Sequence, residues 1–376
     1  MRICHLTSSH KPNDDRIFYK EAISLAKKYK DIWIVSAYES SAPKKTDGIT
    51  FKFLGIKPGK LINRLRIINE LYKTGLELKA DIYHCHEPES LLAAVQLKRA
   101  INSCVIFDSH EMYHSTFSQR FPNVLRPLAS VIYSKLENVM IKKCDIVIGA
   151  TLPISTHFEQ MLGAVKTKTI LNGALPEVLG RSDTPPWLDE IVICHEGSLT
   201  FKRGLRQIIT ALNLLTAKYN VKLKIIGDIA GVERNWFNRY TEVNNLSSAI
   251  EITGWLDYTK LKKAYQRCHI GVVAFDDSPN HVIAGPNKFF NYMHFGMPII
   301  VPRHCINMKE IIENIKCGIV INDTSASSFA DAIGYLIEHR KEAMEMGFRA
   351  KCASVDNFAW PVMERKLLNI YSSLER

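Results

Sequence analysis

The sequence lacks the features that mark several large classes of protein. No apolar stretch in its 376 residues approaches the roughly 20 residues needed to span a bilayer. The first ten residues, with one arginine and only a short apolar run, make a poor signal peptide. The glycines do not form the GxGxxG fingerprint of nicotinamide- and flavin-binding domains. These absences argue against a membrane-spanning protein, a secreted protein and a dinucleotide-dependent enzyme.

The nine cysteines give no sign of a disulfide framework or a zinc site. They are scattered along the chain, and no two of them form a CxxC pair or show zinc-ligand spacing. Reduced and mostly buried thiols are the usual state of cysteine in cytosolic proteins. We therefore expect a cytoplasmic protein whose cysteines belong to its core.

Basic residues outnumber acidic ones, 49 to 38, which gives a formal net charge of +11. An excess of this kind suits nucleic acids, acidic substrates or anionic membrane surfaces as partners. The sequence contains no zinc finger, no aromatic ribonucleoprotein motif and no repeat. We therefore expect no nucleic-acid partner, which leaves acidic substrates and anionic membranes.

Short apolar runs alternate with helical patterns along the chain, and this alternation predicts an α/β fold with parallel sheets covered on both faces. A first series of strands is predicted at Ile3–Leu6, Ile32–Val35, Ile82–His84, Val105–Phe107 and Ile146–Ile148. A second series is predicted at Ile191–His195, Leu223–Ile226, Ile250–Ile252, Ile270–Ala274, Ile299–Val301 and Ile319–Ile321. Two parallel-sheet domains are therefore expected.

A turn-rich stretch with the sequence GRSDTPP separates the two strand series at residues 180–186. Proline, glycine and small polar residues are typical of linkers, so we place the domain boundary near residue 180. The first domain then covers residues 1–180 and the second covers residues 181–357. The helical pattern at 358–376 is expected to complete the first domain. Ligands of such sheets bind beyond the carboxyl ends of the strands, in the cleft that the two domains form.

Polar side chains follow the first predicted strand, in the loop that runs from Thr7 to Arg16. Ser9 lies in this loop, and Asp15 stands where it can cap the helix that follows. The amino end of that helix can hold an anion, which makes the loop a candidate substrate site. A polar loop with a capping aspartate explains the same residues equally well.

A first histidine cluster follows the strand predicted at Ile82–His84. Strand alternation puts His84 and His86 on the same face, and Glu87 comes directly after them. Two imidazoles and a carboxylate can contact a substrate, bind a metal or serve the structure alone. We favour substrate contacts and expect no metal.

A second histidine cluster follows the next strand, where His110 lies between two carboxylates, Asp108 and Glu111. His110 can donate a hydrogen bond or transfer a proton near neutral pH. A lone histidine is more often structural. Two such clusters at equivalent strand ends, however, favour a functional role.

In the second domain, a glycine-containing loop follows the strand predicted at Ile191–His195. Gly197 permits close backbone approach, and Ser198 follows it. Arg203 stands just before the next helix, and a fixed cation beside a helix amino terminus suits a diphosphate. A surface turn with ordinary charges is the alternative.

The segment Pro286–Pro298 predicts a helix that begins near Pro286 and stops at Gly296. Lys288 falls in its first turn, where the helix dipole disfavours a cation unless an anion offsets it. Asn291 comes three residues later and therefore lies on the same side of the helix. This arrangement predicts an anionic ligand at the helix start.

These motifs, in this order, resemble glycosyltransferase family 4, the glycogen-synthase-like group with the GT-B fold. The resembling segments are 13–22, 84–88, 108–111, 172–173, 197–204, 254–256, 286–298 and the helix that opens at Trp360. The resemblance implies two Rossmann-like domains whose parallel sheets face a central cleft. It also implies a retaining enzyme that moves a hexosyl unit from a nucleotide diphosphate sugar, uridine-linked, to a lipid-linked or surface-glycan acceptor.

The resemblance also implies roles for the candidate residues. The diphosphate would contact Arg203 and Lys288, and the transferred sugar would lie near His110. The backbone around Trp255 and Leu256 would face the base, and the helix that starts at Pro286 would reach the ribose. The residues that would bind the nucleotide sugar are Gly197, Ser198, Trp255, Leu256, Pro286, Asn287 and Asn291. The acceptor or donor phosphate would face Ser9, Asp15, His84, His86 and Glu87. No metal or other cofactor is expected, because basic side chains and helix dipoles neutralise the leaving diphosphate.

The chain departs from the family pattern at three positions. The family's paired glutamates map onto Ile283 and Asn291, and the arginine that usually follows the loop glycine is Ser198. The resemblance implies that Lys288 takes the place of that cation, since a PNK sequence occurs in a subgroup of the family that lacks the first of the two glutamates. Two alternatives therefore stay open: a non-catalytic partner subunit of another glycosyltransferase, and a nucleotide-sugar epimerase of the same fold.

Two segments of the first domain are both basic and amphipathic. They lie at Lys57–Lys79 and Arg120–Lys143, where lysines and arginines alternate with apolar stripes. Such segments suit peripheral binding to the anionic inner face of a cell membrane that carries a lipid-linked acceptor. Stripes that pack on the core, with solvated charges beside them, are the alternative.

Overall fold

The computed structural model describes residues 1–39, 44–118, 121–180 and 185–375. Arg120 and most of the predicted linker, residues 181–184, lie outside these ranges. The chain divides into two compact units. Unit 1 comprises Met1–Leu171 with Met363–Arg376, and unit 2 comprises Asn172–Val362.

Unit 1 is built on one eight-stranded sheet. Its strands are β1 Arg2–Thr7, β2 Asp31–Ser36, β3 Lys45–Thr46, β4 Ile49–Phe53, β5 Ile82–Cys85, β6 Cys104–Ser109, β7 Ile146–Gly149 and β8 Thr167–Thr169. The spatial order is β3-β4-β2-β1-β5-β6-β7-β8, and every pairing is parallel except β3 with β4. Residues on both faces of the central strands are buried, as helices on both sides of a parallel sheet require.

The helices of unit 1 follow the strands in the expected alternation. They are a π-helical segment Asp15–Ala22 that continues as Ile23–Ala26, then Leu61–Leu78, Pro88–Ile101, Tyr113–Ser118, the 3₁₀ turn Asn123–Leu125, Arg126–Ile141 and Leu152–Leu162. The C-terminal helix Trp360–Ser373 contributes its residues from Met363 onward. Lys27 Nζ, 2.8 Å from Glu364 Oε1, joins that helix to the first one.

Unit 2 is built on a six-stranded, wholly parallel sheet. Its strands are β9 Ile191–Glu196, β10 Val221–Ile226, β11 Ile250–Ile252, β12 Ile270–Val272, β13 Ile299–Pro302 and β14 Gly318–Ile321, in the order β11-β10-β9-β12-β13-β14. Its α-helices are Pro176–Leu179, Leu205–Thr216, Gly231–Val243, Leu261–Tyr265, Pro279–Val282, Asn287–His294, Ile306–Ile315, Ala326–Glu338 and Arg340–Ala353. Short 3₁₀ turns at Phe201–Arg203, Ser247–Ala249 and Tyr258–Lys260 and a π-helical segment at Ser354–Phe358 complete it.

The division between the units lies at Leu171–Asn172, whereas the turn-rich sequence placed it near residue 180. The contacts of the intervening residues explain the difference. Asn172 Nδ2 donates to the carbonyl of Gly285 at 2.9 Å, and His294 Nε2 lies 2.9 Å from the carbonyl of Gly180. Both partners belong to unit 2, so residues 172–180 belong there as well.

Candidate active site

The carboxylate of Glu87 organises the loop after β1. It accepts hydrogen bonds from Thr7 Oγ1 at 2.5 Å and from the backbone N–H of Ser8 at 2.8 Å. It also accepts from the backbone N–H of Ser9 at 3.2 Å, and His10 Nδ1 lies 2.5 Å from it. Burial raises the pKa of Glu87, but His10 and the hydrogen bonds outweigh this and hold the pKa well below its usual range. Glu87 is therefore an ionised residue that shapes the loop, while Ser9 lies exposed on it.

The helix after this loop is capped by Asp14, so the predicted cap at Asp15 is wrong by one residue. Asp14 Oδ1 accepts from the backbone N–H groups of Arg16 at 2.9 Å and Ile17 at 3.1 Å. Asp14 has the non-helical backbone that a cap needs, whereas Asp15 is the first helical residue. Asp15 therefore lies in the first turn, where a carboxylate suits the helix dipole.

A buried ion pair holds His110 in place. Arg16 Nε donates to Asp108 Oδ2 at 2.7 Å, and Arg16 Nη2 donates to Asp108 Oδ1 at 2.9 Å. His110 Nε2 lies 3.2 Å from Asp108 Oδ2. Burial raises the pKa of Asp108, but Arg16 and His110 hold it well below its ordinary range. The ionised carboxylate thus accepts a hydrogen bond from the Nε2–H of His110. The other ring nitrogen of this partly exposed imidazole, Nδ1, then carries no proton and can accept a hydrogen bond.

His84 and His86 lie in the interior of unit 1, with no exposed surface. His86 Nε2 is 3.1 Å from Nδ1 of a third buried histidine, His5, and His84 Nδ1 is 2.7 Å from the hydroxyl of Tyr371. Burial lowers the pKa of all three imidazoles, so they are neutral. Both predicted residues are thus brought together with each other and with His110, whose Nε2 lies 3.4 Å from His86 Nδ1.

Among the described residues, two groups could hold a metal ion. The first is His5, Glu21, His84 and His86, and the second is His86, Asp108 and His110. In each group the ligand atoms lie within 4.8 Å of one another. The imidazole and carboxylate ligands in each group are therefore compatible with a bound metal ion in unit 1.

Two cations lie at the carboxyl end of β9 in unit 2. Lys288 is almost fully buried, and its Nζ lies 3.2 Å from Nε2 of His195. Burial and the nearby Arg203 lower the pKa of Lys288 to about 7. Arg203 Nη1 donates to the carbonyl of Ser198 at 3.5 Å. Gly197 adopts a left-handed conformation (φ 91°) beside Lys288, as the predicted close backbone approach requires.

The helix predicted from Pro286 is confirmed as Asn287–His294, with Pro286 at its N-cap position and Gly296 (φ 67°) just beyond its end. Pro286 has an extended backbone, and the N–H groups of the first turn have no acceptor within the helix and point out of its amino end. Lys288 lies in that turn with its side chain buried. A cation in this position is stabilised by an anion.

Asn291 is hydrogen-bonded to a carboxylate that the sequence patterns did not reveal. Asn291 Nδ2 donates to Glu196 Oε2 at 2.9 Å, and the hydroxyl of Tyr265 donates to the same oxygen. Glu196 ends β9, and its backbone N–H donates to the hydroxyl of Tyr292 at 2.9 Å. A carboxylate therefore lies beside Asn291, although residue 291 is itself an amide.

Trp255 and Leu256 lie in the loop after β11, the edge strand of the second sheet. The indole of Trp255 is exposed, and Leu256 is half-buried. An exposed tryptophan on a loop at the carboxyl end of a parallel strand suits contact with a planar ligand. Ile283 follows the helix Pro279–Val282 directly.

Three comparisons place the chain among known proteins. Residues 181–352 match the family model described as glycosyl transferases group 1. A protein named as an uncharacterized glycosyltransferase of Methanocaldococcus jannaschii is 20% identical over 316 residues, which is 78% of this chain and 75% of that protein.

Solved structures cover the whole chain. Sucrose-phosphate synthase from Thermosynechococcus elongatus aligns with a TM-score of 0.77 at 13% identity, over 100% of this chain and 99% of the other. Anabaena HepE, solved in complex with UDP, aligns with a TM-score of 0.72 at 17% identity, over 99% and 100%. The predicted α/β GT-B class with two parallel-sheet domains is confirmed by these similarities.

Proposed function

We propose that the chain is a glycosyltransferase that moves a hexosyl unit from a nucleotide diphosphate sugar to a lipid-linked or surface-glycan acceptor; its residues 181–352 match the model of the group 1 family. The observation that carries the proposal is the pair of cations at the end of β9. Lys288 is buried, and its burial together with the proximity of Arg203 lowers its pKa. An anion bound beside two such cations stabilises both of them, and a diphosphate is such an anion.

On the donor side, the two cations stabilise the charge that develops as the sugar–phosphate bond breaks. Fixed charges in a site of low dielectric act more strongly than charges in water and need no reorganisation. We propose that Arg203 and Lys288 perform this task without a metal at the diphosphate. The structures of Anabaena HepE with UDP and with UDP-glucose support a uridine-linked donor.

In unit 1, we propose that His110 orients the hexosyl unit that is transferred from the donor. His110 donates a hydrogen bond from its Nε2–H to the ionised Asp108, so Nδ1 can accept a hydrogen bond from a sugar hydroxyl. Arg16 keeps Asp108 ionised and thereby fixes this tautomer. The loop with Ser9 and Asp15 faces the acceptor or the donor phosphate. Retention of the anomeric configuration, which the family resemblance implies, is part of the proposal.

A nucleotide panel tests the proposal. Thermal unfolding of the full chain is measured with UDP, GDP, ADP, TDP and the corresponding nucleotide sugars. We expect uridine-linked compounds to stabilise the chain, by about 2.7 kcal/mol when the ligand is at 100 times its Kd. The uridine-linked nucleotide sugars that bind should then be hydrolysed slowly by water to UDP and free sugar.

The panel also separates the alternatives. A non-catalytic partner subunit that has lost the donor site would show no stabilisation by any compound, and this result contradicts the proposal. An epimerase would convert the bound nucleotide sugar to its epimer and release no nucleotide. Stabilisation together with released UDP supports transfer.

The acceptor proposal extends to the membrane, because unit 1 exposes apolar side chains on two basic segments. In the helix Leu61–Leu78, Leu61 is 73% exposed, and Ile62 and Leu65 are exposed beside it. In the helix Arg126–Ile141, Leu128, Val131, Ile132, Leu136 and Val139 are exposed. Within the described ranges, no helix has both the length and the apolar composition to cross a membrane. Peripheral binding at the inner face of the cell membrane is therefore proposed.

Co-sedimentation with liposomes tests this binding. We expect the chain to sediment with vesicles of anionic lipid at low salt and to be released at high salt, because surface charges are screened within about 8 Å at physiological ionic strength. The variant Leu61→Gln/Leu65→Gln should bind more weakly. Val243→Gln, which alters a 75% exposed apolar residue of unit 2, is the matched control and should bind normally. Absence of binding at low salt contradicts the proposal.

A further inference from the structure

Four buried side chains of unit 1 converge on one point. His5 on β1 and His84 on β5 are register partners in adjacent parallel strands, so their side chains share one face of the sheet. His86 follows β5 with the same orientation as His84. Glu21, on the helix segment Asp15–Ala22, covers this face. None of the four has exposed surface.

The distances between these atoms suit a metal ion. Glu21 Oε2 lies 3.9 Å from His5 Nδ1, 3.9 Å from His84 Nδ1 and 3.9 Å from His86 Nε2. His5 Nδ1 and His86 Nε2 are 3.1 Å apart. Nitrogen and oxygen ligands at about 2.0–2.1 Å from a tetrahedral zinc ion are about 3.3–3.4 Å from one another. Shifts of a few tenths of an ångström would therefore complete the coordination.

The polar atoms of this group are poorly satisfied by the protein. In the described part of the chain, both oxygens of Glu21, Nε2 of His5 and Nε2 of His84 are buried without a hydrogen-bond partner. Arg16 Nε forms an ion pair with Glu21 Oε1 at 3.0 Å, whereas Oε2 faces the three imidazoles. A buried polar group without a partner costs about 1–3 kcal/mol. A bound cation would satisfy Oε2, the unpartnered oxygen that faces His5 Nδ1, His84 Nδ1 and His86 Nε2.

The surroundings also match those of histidines that bind metals. Such a histidine usually donates its second ring N–H to a carboxylate, which fixes its tautomer. Asp108 Oδ2 lies 3.6 Å from His86 Nδ1 and 4.0 Å from His84 Nε2. The second ring nitrogens of two of the three histidines therefore face one carboxylate.

We propose that His5, Glu21, His84 and His86 bind one zinc ion, which fixes the helix Asp15–Ala22 on the sheet of unit 1. Four protein ligands make a closed site with no position for water or substrate, so the ion is structural. It also orients His86, whose Nδ1 lies 3.4 Å from His110 Nε2. The site is separate from the diphosphate cations of unit 2 and does not depend on the proposed transfer reaction.

Metal content tests the site without reference to activity. Elemental analysis of the untagged, full chain, purified without chelators, should find about one zinc ion per chain. Removal of the ion with a chelator should lower the melting temperature, and added Zn²⁺ should restore it. Cobalt(II) added to the metal-free chain should give the visible absorption of a tetrahedral site.

Two variants define the ligand set. Glu21→Gln keeps the shape of the side chain and removes its charge, so it should weaken zinc binding at least about tenfold, as the loss of interactions around a metal does. Tyr371→Phe is the control. It removes the hydroxyl 2.7 Å from His84 Nδ1 and no ligand. Since coordination displaces that hydrogen bond, this variant should bind zinc as well as the original chain does or more tightly.

Two results would overturn the proposal. In the first, the chain is metal-free as purified, and neither Zn²⁺ nor Co²⁺ changes its melting temperature or its visible spectrum. In the second, Glu21→Gln binds zinc as the original chain does. Nucleotide binding can be measured on the same samples, so a failure of the donor proposal remains distinguishable from a failure of this one.

Discussion

Replacing Arg203 with alanine is expected to lower kcat/KM for the nucleotide sugar by about 10²–10³-fold, the effect of removing one fixed group that stabilises developing negative charge. Arg203 ends the turn Phe201–Arg203, close enough to Lys288 to lower its pKa, and its guanidinium donates a long hydrogen bond, 3.5 Å, to the carbonyl of Ser198. The substitution should therefore alter the charge of the site more than the fold. Steady-state release of the nucleotide, with a thermal unfolding curve for each variant, measures the effect.

The neighbouring Lys202→Ala is the matched control for Arg203→Ala. Lys202 has the same charge, comes from the same turn and is exposed, so its loss should leave kcat/KM nearly unchanged. The division of the Arg203 effect between kcat and KM carries further information. A fall in kcat indicates charge stabilisation in the transition state, whereas a rise in KM alone indicates uniform binding of the diphosphate. Wild-type kinetics for Arg203→Ala would refute the assigned role.

The strands could be predicted from sequence wherever they are central and apolar. Every predicted strand is present, because each except Ile82–His84 contains two or more valine, isoleucine or leucine residues and most are buried on both faces. The strands that escaped prediction, β3, β4 and β8, lie at or near the edges of the first sheet. Both β3 and β8 consist of lysine and threonine alone, and β4 mixes polar with apolar residues. Their formation depends on pairing with distant residues, which a local pattern does not contain.

The cations of the candidate site could also be found locally. Lys288 conflicts with the dipole of its own helix, and a conflict of that kind is visible in a few residues. The buried network of unit 1 could not be found in this way. Arg16 and Asp108 of that network are separated by 92 positions. In unit 2, Asn291 and Glu196 are likewise separated by 95 positions. Only the fold brings such partners together, and the residue types alone do not predict which side chains will form the ion pair or hydrogen bond.

The two histidines at the carboxyl end of β5 show a further limit of sequence reasoning. Alternation places His84 and His86 on one face, and the structure has them within one buried group. The alternation of side chains along a strand does not predict whether that face of the sheet is exposed to solvent or covered by a helix. Here the helix Asp15–Ala22, the loop shaped by Glu87 and the C-terminal helix bury them. Tyr371, at the far end of the chain, completes the enclosure.

The second large effect is expected at Glu196, the residue that supplies a carboxylate beside Asn291. Glu196→Gln preserves an oxygen that can accept from Tyr265 and from Asn291 Nδ2, and removes only the charge. A hydrogen bond to a charged group contributes about 1.5–3 kcal/mol. If this carboxylate holds the ribose hydroxyls, kcat/KM for the donor should fall about 10- to 100-fold, since each 1.4 kcal/mol is tenfold.

The pH profile gives Glu196→Gln a second readout. Burial and Arg203 lower the pKa of Lys288 to about 7, and the charge of Glu196 opposes them. Lys288 must be protonated to hold the diphosphate, so kcat/KM should be full below this pKa and should fall as the pH rises through it. Removing the negative charge of Glu196 lowers the pKa of Lys288 further. The alkaline limb of the profile should therefore move to lower pH, and the defect should be larger at about pH 8 than at about pH 6.

The rescue variant separates a functional carboxylate from a merely structural one. Adding Asn291→Glu to Glu196→Gln returns a carboxylate to the same place from the neighbouring helix. We expect it to recover most of the lost kcat/KM and to move the alkaline limb back toward higher pH. A structural role for Glu196 would leave the double variant no better than the single one, because the Asn291–Glu196 hydrogen bond is still altered. That outcome, or an alkaline limb that does not move in Glu196→Gln, would contradict the assignment.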